Sequence, residues 1–333
     1  MTYIMPAEWE RHERTWMAWP TAGYMSFDDD EGMDDARAAW ANVANAIIRF
    51  EALTMVVDPR DVDIAKEWLD PRIELAVAPL DDAWMRDMGP TFVRDEAGNL
   101  CAVDWVFNGW GAQHWAKWDH DSEVAPFVIA QVGVPTVVSP IVNEGGGIHT
   151  NGAGTLLVTE TVQLDPYRNP ELSKADLEAE FKRTLGVSEI IWFKRGLTRD
   201  YEDFGTRGHV DIVACFADQN TILYHDQQNP EHPDHQITKE VLEVLQQTSF
   251  RLVPVPAPER IRDEKGFVDQ GYINHYICND AVILCAFDDP ADERAKVILE
   301  SVYPGREIVL VDAQEIFARG GGIHCITQQQ PAS

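Results

Sequence analysis

The amino-acid sequence predicts an α/β protein built as a circular array of similar strand–helix units, with a single domain over residues 1–333. Helical and strand-like segments alternate along the chain, and no low-complexity linker separates them. The hexapeptide GGGIHT at residues 145–150 returns as GGGIHC at residues 320–325, which indicates that one structural unit is used more than once. No GxGxxG or GxxxxGK(S/T) motif follows a predicted strand, so nothing supports a nucleotide-binding sheet.

Helices are predicted wherever apolar residues recur at a spacing of three and four. The predicted segments are 34–50, 123–132, 172–185, 236–248 and 291–303. In the first segment Trp40, Val43 and Ile47 share one stripe. In the third, Ser173 suits the N-cap and Gly186 the stop, which fixes its ends.

Short runs rich in β-branched and aromatic residues between these helices predict strands. They are residues 53–57, 73–77, 99–106, 155–159, 188–192, 210–216, 221–225, 281–286 and 306–311. Alternate residues of a strand face the same way, so a strand at 210–216 is expected to direct His209 and Asp211 together, with Val210 packed behind them.

The acidic composition limits the classes of molecule that the protein is expected to bind. Asp and Glu number 56 against 27 Lys and Arg, which gives a net charge of −29. Such a charge repels nucleic acid and anionic membranes and concentrates small cations. A surface that only maintains solubility would look the same, so the charge bears on function only if the site itself requires a cationic substrate.

Cysteine usage and hydropathy favour a cytoplasmic protein. No run approaches the roughly 18 apolar residues of a membrane span, and the N-terminal residues do not resemble a signal peptide. The five cysteines are odd in number and contain no CxxC pair, which argues against a disulfide framework and a zinc cluster. They are Cys101, Cys215, Cys278, Cys285 and Cys325.

Four scattered segments contain the residues best suited to chemistry. The first is the charged run 81–90, with Trp84 and Asp87, and the second is Glu144 before the first glycine run. The third is Gly208-His209-Val210-Asp211, and the fourth is Cys325, which follows the second glycine run. Each has an ordinary structural alternative: a polar loop, an exposed carboxylate, a structural His-x-Asp pair and a buried thiol. A thiol and an imidazole with one carboxylate would suit an amidase or peptidase.

Three carboxylates around one thiol point to a cationic substrate instead. Negative charge disfavours a thiolate, so Asp87, Glu144 and Asp211 would hinder an ordinary cysteine hydrolase. A guanidinium is planar and presents N–H donors that match carboxylates in bidentate pairs. Carboxylates that hold it would turn its central carbon toward sulfur, and its charge would favour the thiolate.

Motifs along nearly the whole chain resemble the agmatine deiminases, within the guanidine-modifying group that includes bacterial peptidylarginine deiminases. The matching motifs are residues 5–9 (MPAEW), 15–20 (TWMAWP), 82–93 (DAWMRDMGPTFV), 104–111 (DWVFNGWG), 144–146 (EGG), 168–170 (RNP), 208–211 (GHVD) and 323–329 (IHCITQQ). The resemblance implies the pentein fold, a five-bladed α/β propeller with pseudo-fivefold symmetry and a central site. It also implies polyamine (putrescine) metabolism, a small cationic guanidino substrate and no cofactor or metal.

The resemblance assigns roles by position. It makes Cys325 the nucleophile, His209 the general acid and base, and Asp87 and Asp211 the guanidinium clamps. Glu144 would hold His209 or a substrate nitrogen, and Trp84 would line the substrate tunnel. Gly208 and Gly320 are expected to contact substrate through their backbones.

The chain departs from the family pattern just before His209. An acidic residue is usual four positions earlier, where this chain has Gly205, although Glu202 and Asp203 lie slightly upstream. This segment should face the far end of the substrate, so the tail group stays open, and Arg207 could favour a carboxylate there or lie on the surface.

Other interpretations remain open from sequence. They are deimination of peptidyl-arginine or another guanidino compound, a cysteine amidase, a binding protein that kept the fold, and a metal site built from His149, His232, His235 and His324. A homo-oligomer is also possible from sequence.

Overall fold

The computed structural model describes residues 3–21 and 30–333. Its strands are β1 (His12–Ala18), β2 (Ala52–Val57), β3 (Glu74–Val77), β4 (Thr91–Arg94), β5 (Leu100–Val106), β6 (Thr136–Val142), β7 (Ile148–Thr150), β8 (Thr155–Thr159), β9 (Glu189–Phe193), β10 (Ala214–Asp218), β11 (Thr221–Asp226), β12 (Arg251–Pro256), β13 (Tyr276–Ile277), β14 (Ala281–Ala286), β15 (Glu307–Asp312) and β16 (Thr327–Pro331). Its helices are α1 (Asp30–Ile47), α2 (Val62–Trp68), α3 (Met85–Met88), α4 (Gly109–Ala112), α5 (Val124–Val132), α6 (Glu160–Gln163), α7 (Lys174–Leu185), α8 (Asp234–Leu245), α9 (Ala291–Val302) and α10 (Gln314–Ala318).

Within the described residues the strands form five small sheets with the same internal order. The sheets are β16-β1-β2-β3, β4-β5-β6, β7-β8-β9, β10-β11-β12 and β13-β14-β15. In every sheet the first pair is antiparallel and the second pair parallel. A parallel pair needs a crossover, and helices α1, α5, α7, α8 and α9 supply one in each sheet. The fold is therefore the five-bladed α/β propeller of the pentein fold.

The ring is closed by pairing between the two ends of the described chain. Strand β16 lies antiparallel to β1, with Trp16 opposite Gln328 and Met17 opposite Thr327. The indole N–H of Trp16 also donates to the side-chain oxygen of Gln330 at 2.9 Å. Strand β3 is an addition to this first blade, beyond the three strands that the blades share.

The fold confirms the predicted helices to within about four residues at their ends. The structure also confirms Ser173 as the N-cap of α7, where it forms a reciprocal capping box with Asp176, and Gly186 as its left-handed C-cap. Leu177 and Phe181 lie on the buried face of the same helix and are fully buried. None of the helices in residues 3–21 and 30–333 is long and apolar enough to cross a membrane.

The predicted strand at 210–216 is wrong in its first half. Residues Val210–Ile212 form a 3-10 turn, and β10 begins only at Ala214. His209 and Asp211 do face the same region, but a tight turn directs them there and strand alternation does not. The carboxylate of Asp200, a residue outside the predicted strand, accepts hydrogen bonds from the backbone N–H groups of Gly208 and His209, just before this turn.

The capping box of α7 gives a test of this helix. We expect Ser173→Ala to lower the free energy of unfolding by about 0.5–2 kcal/mol, because the backbone N–H of Asp176 loses its acceptor. Urea unfolding measures the change, with Ser188→Ala, at an exposed position outside the helix, as the control. Equal losses in the two variants would contradict the capping assignment.

Candidate active site

The candidate site forms where the turns that precede the first strand of each blade meet. Asp87 lies just before β4, Gly146 before β7, and His209 with Asp211 before β10. Asn274 lies two residues before β13 and Cys325 two residues before β16. Each of the five blades therefore contributes at least one residue, and all of these residues are buried.

The middle glycine of each glycine run leaves the space in which the side chains converge. A Cβ atom added at Gly146 would lie 2.5 Å from Nδ1 of His209, 2.9 Å from Oδ1 of Asp87 and 3.0 Å from Oδ2 of Asp211. A Cβ added at Gly321 would lie 2.6 Å from the ring of Trp84 and 3.2 Å from Sγ of Cys325. Both runs thus let backbone approach functional groups closely, which only glycine permits.

His209 is held between carboxylates. Its Nε2 lies 3.3 Å from Oε2 of Glu144, and its Nδ1 lies 3.8 Å from Oδ2 of Asp87. Burial alone would lower the pKa of this imidazole, but the charges of Asp87, Glu144 and Asp211 outweigh it and raise the pKa to about 9. His209 is therefore an imidazolium at neutral pH and can donate a proton.

Arg168 fixes Glu144 in the ionised state. Its Nε donates to both carboxylate oxygens of Glu144 at 2.9 and 3.1 Å, and both side chains are fully buried. Burial would raise the pKa of Glu144, yet Arg168 and His209 lower it to about 2. The remaining N–H groups of Arg168 bind Asp165 at 2.7 Å and the carbonyl of Thr206 at 2.7 Å.

Asp87 is oriented by two N–H donors. The indole of Trp110 donates to Oδ2 at 2.8 Å, and the backbone N–H of Gly146 donates to Oδ1 at 2.9 Å. Burial raises the pKa of Asp87, and the neighbouring Asp211 and Glu144 carboxylates add to that rise while His209 opposes it. A cationic group would therefore be stabilised in front of Asp87.

Cys325 and Asp211 lie in contact. The thiol Sγ is 3.4 Å from Oδ2 of Asp211, and the other oxygen of Asp211 is buried with no hydrogen-bond partner among the described residues. Burial raises the pKa of Cys325 well above its usual value, and the Asp211 and Asp87 charges raise it further. The sulfur is thus a thiol at neutral pH in the free protein.

Asn274 was not among the residues expected from sequence, yet its side chain touches the thiol. Its Nδ2 lies 3.2 Å from Sγ of Cys325, and its Oδ1 accepts from the backbone N–H of His324 at 2.9 Å. The amide therefore shapes the turn that presents the sulfur. Only a contact across 51 residues reveals it, and no local motif surrounds Asn274.

Asp200 was likewise missed, and it builds the turn that presents His209. Its carboxylate accepts from the backbone N–H groups of Thr206, Gly208 and His209 at 2.7, 2.7 and 3.0 Å. A Cβ added at Gly205 would lie only 2.2 Å from the carbonyl oxygen of Asp200. The glycine that replaces the usual acidic residue is thus required by the tight turn of this chain.

Aromatic rings flank the thiol and the carboxylates. Trp84 is 4% exposed and packs edge-on against Trp40 with centroids 5.4 Å apart. Trp110 stacks on Trp115 at 5.4 Å, and Trp115 contacts Phe204 at the same distance. These rings exclude water beside a site rich in charge, which strengthens the electrostatic interactions there.

Comparison with known proteins agrees with this geometry. The family model described as Porphyromonas-type peptidyl-arginine deiminase matches residues 4–331. The chain belongs to this family. A Streptomyces coelicolor protein, provisionally named agmatine deiminase, is 54% identical over 99% of both chains. The agmatine deiminase of Pseudomonas aeruginosa is 38% identical over 99% of this chain and 96% of its own length.

A solved structure of a relative has the same fold. It is described as the agmatine deiminase of Enterococcus faecalis catalysing its reaction, and it superimposes with a TM-score of 0.92 at 30% identity. The match covers 99% of this chain and 96% of that one. The deiminase family and its propeller fold are thus supported by both sequence and structure.

Gly208 and Gly320, the two glycines expected from sequence to contact substrate, are both in close contact with other residues of the protein. The N–H of Gly208 donates to Asp200, and its carbonyl accepts from the hydroxyl of Thr159 at 2.6 Å. Gly320 has a φ of 106°, and its α-carbon lies against the carbonyl of Phe204. Both glycines adopt left-handed backbone geometry, which explains their residue type, and their contact with substrate stays a prediction.

The histidines considered as metal ligands do not come together as one set. His149 and His324 lie near Glu8, whereas His232 binds the carbonyl of Val268 and His235 the carbonyl of Gln227. Nε2 of His324 lies 2.9 Å from Oε1 of Glu8, which is a direct hydrogen bond.

The contacts of His209 predict a measurable titration. A histidine pKa raised on folding stabilises the fold below its unfolded value near 6.5, and this contribution is lost as pH rises through about 9. We expect Glu144→Gln to lower the pKa of His209, because it removes one carboxylate and leaves the Arg168 charge uncompensated. Imidazole NMR measures the shift, with exposed Glu123→Gln as the control. An unchanged His209 titration in Glu144→Gln would refute the pairing.

Proposed function

We propose that this chain hydrolyses agmatine to N-carbamoylputrescine and ammonia, through a covalent intermediate on Cys325. The observation that supports it most directly is the convergence of two buried carboxylates, Asp87 and Asp211, on either side of a thiol and an imidazolium. The named relatives, which match this chain over nearly their whole length, support the same substrate.

The guanidinium would bind between Asp87 and Asp211. The unpartnered oxygen of Asp211 offers an acceptor to one N–H edge of the planar group. Asp87, already oriented by Trp110 and Gly146, offers an acceptor to another edge. Positive charge brought between these groups lowers the pKa of the Cys325 thiol, so the thiol releases its proton to solvent and the thiolate forms as the substrate binds.

In the first half-reaction Cys325 attacks the central guanidinium carbon and forms a C–S bond. His209, an imidazolium held by Glu144, gives its proton to the leaving nitrogen. The C–N bond breaks, ammonia departs, and an S-alkylthiouronium remains on the enzyme.

In the second half-reaction the now neutral His209 takes a proton from water. The oxygen attacks the same carbon, the C–S bond breaks, and the proton left on that oxygen passes to the departing sulfur, which gives the carbamoyl product and the Cys325 thiol. Glu144 supports both steps because its charge stabilises the imidazolium that alternates with the neutral ring.

The structure bears on the alternative tail groups. Arg207 is bound to Asp165 at 2.8 Å and lies over the ring of Tyr167 at 4.7 Å, so its charge is already compensated. A substrate carboxylate would therefore gain little from Arg207. A cavity of about 280 Å³ beside Gly320 is lined by three acidic residues, Glu202, Asp203 and Asp269, and by two basic residues, Arg199 and Lys265. Arg199 is already paired with Asp263 at 2.6 Å, and the acidic residues outnumber the basic ones, so the lining favours a terminal ammonium over a carboxylate.

Three broader properties are also proposed. A single catalytic domain over residues 1–333 is supported by the family match over residues 4–331 and by the pairing of β16 with β1. A cytoplasmic location is supported by free cysteines at every described cysteine position. A homo-oligomer is supported by exposed valines on neighbouring strands, Val106 and Val138, which would be covered in an assembly.

Cys325 tests the covalent chemistry. We expect Cys325→Ser to fold but to release no detectable ammonia from agmatine, because a hydroxyl is a far weaker nucleophile at neutral pH. Mass spectrometry of the quenched reaction of the unmodified protein should find the amidino adduct on Cys325. Cys215→Ser, which removes another buried thiol, is the control. An adduct on a different cysteine would overturn the assignment.

The carboxylates test the guanidinium clamp. We expect Asp87→Asn and Asp211→Asn each to lose about 2–5 kcal/mol of transition-state stabilisation, because each variant removes one partner of a desolvated charge pair. The measurement is kcat/KM for agmatine, with exposed Asp119→Asn as the control. A value near that of the unmodified protein would remove the residue concerned from the clamp.

A panel of guanidino compounds tests the substrate itself. We expect ammonia release from agmatine to exceed release from arginine and from 4-guanidinobutyrate, because the carboxylates of both would meet Glu202 and Asp203. Glu202→Gln with Asp203→Asn should narrow that preference, whereas Glu231→Gln at a distant exposed position should not. Faster turnover of a guanidino acid by the unmodified protein would reject agmatine while leaving the guanidine chemistry intact.

A further inference from the structure

His324, the residue before the nucleophile, is clamped between two buried carboxylates. Its Nδ1 lies 2.8 Å from Oδ2 of Asp211. Its Nε2 lies 2.9 and 3.1 Å from the two oxygens of Glu8. All three side chains are at least 97% buried. Glu8 belongs to the N-terminal segment, far from the other site residues in sequence.

This arrangement requires a protonated ring. An ionised carboxylate can only accept, so both ring nitrogens must donate, and a histidine that donates from both nitrogens is an imidazolium. Burial and the nearby Arg86 charge oppose protonation, while Glu8 and Asp211 raise the pKa of His324 above its usual value. His149, with its ring centroid 6.1 Å away, lines the same narrow cavity as His324, together with His275, Cys215 and Tyr303.

The two oxygens of the Asp211 carboxylate have different contacts. Oδ2 accepts from His324 and contacts Sγ of Cys325, whereas Oδ1 is left buried with no partner among the described residues. Rotation of the Asp211 carboxylate would break the charge-assisted bond to His324, which is among the stronger kinds of hydrogen bond. The bond therefore holds the Asp211 carboxylate with its Oδ2 beside both the Cys325 sulfur and the space above Gly146.

Glu8 is itself fixed from other directions. Arg86 lies 3.4 Å from its Oε1, and Nε2 of His149 lies 3.7 Å from its Oε2. His149 and His324 are the equivalent residues of the two glycine-run repeats, so Glu8 joins both copies. Arg86 also donates from its backbone N–H to the carbonyl of Cys325 at 3.0 Å, which links the same cation to the nucleophile turn.

We propose that Glu8 and His324 are positioning residues of the reaction, acting through Asp211: the imidazolium fixes the orientation of the Asp211 carboxylate and offsets the negative charge beside the Cys325 sulfur. This inference rests on the proposed function for its catalytic consequence. The hydrogen-bonded chain from Glu8 through His324 to Asp211, called the relay below, exists in the free protein and can be measured without agmatine.

A double-mutant cycle tests whether Glu8 acts through His324. We expect Glu8→Gln and His324→Gln each to lower kcat/KM for agmatine by about 10- to 100-fold, the usual range for residues that orient a reacting group from behind it. Because the two act in series, Glu8→Gln should have little further effect in a His324→Gln background. Additive losses would overturn the relay. Glu10→Gln and His120→Gln, both at exposed positions, are the matched controls and should retain normal kcat/KM.

Thiol alkylation gives a readout that a purely structural defect would not move. In His324→Gln the Asp211 charge beside sulfur is uncompensated, so the pKa of Cys325 rises. The pH profile of iodoacetamide modification at Cys325, followed by mass spectrometry, should therefore shift to higher pH relative to the unmodified protein and to His120→Gln. An unchanged profile in a folded His324→Gln protein would overturn the charge-offset part of the proposal.

If the variants do not fold, the protonation of His324 in the unmodified protein still tests the proposal. A pH titration of histidine-labelled protein by imidazole NMR should show that His324, like His209, loses its second ring proton at a higher pH than the ordinary histidine pKa near 6.5. A His324 ring that titrates at or below that ordinary value would overturn the relay. A protein that shows the relay but releases no ammonia from agmatine would fail the proposed function alone.

Discussion

The buried ion pair between Arg168 and Glu144, in which one Nε–H is shared by both carboxylate oxygens, is the interaction on which the rest of the site depends. A buried carboxylate without a partner would be neutral, and a neutral Glu144 could not maintain the imidazolium of His209. Arg168 meets this requirement from a position with no solvent exposure, and it uses its other donors on Asp165 and on the backbone of Thr206. Removing one partner would leave the other charge buried and unpaired, which destabilises strongly.

The five blades explain why so many polar groups can meet in a dry interior. Each blade begins with a turn followed by its antiparallel strand, so every blade presents a short backbone segment toward the same region. Turns are tolerant of residue type, and the copies have diverged into an acid, a glycine cradle, an imidazole, an amide and a thiol. Strands and crossover helices, which must pack, have kept the common pattern.

The sequence was sufficient for the elements whose signals are local. The apolar stripes of the helices and the motifs around Asp87, His209 and Cys325 are readable from neighbouring residues. Prolines concealed the outer strands β6 and β12, because Pro140 and Pro254 are acceptable at a sheet edge but weaken a strand pattern. Asn274 and Asp200 act through contacts that the fold alone creates, so no window of sequence indicated them. Arg168 lies in the matched motif at 168–170, but only its contact with Glu144 in the structure reveals what it does.

The shared use of Asp165 limits how the specificity of this protein could be redesigned. One oxygen of that carboxylate binds both Arg168 and Arg207, at 2.7 and 2.8 Å. A substitution at Arg207 intended to accommodate a new substrate tail would therefore also alter the anchor of the acid–base pair. Glu202 and Asp203 are exposed and lie outside that network. Mutagenesis libraries aimed at other guanidino compounds would thus vary these two positions first and keep the arginine.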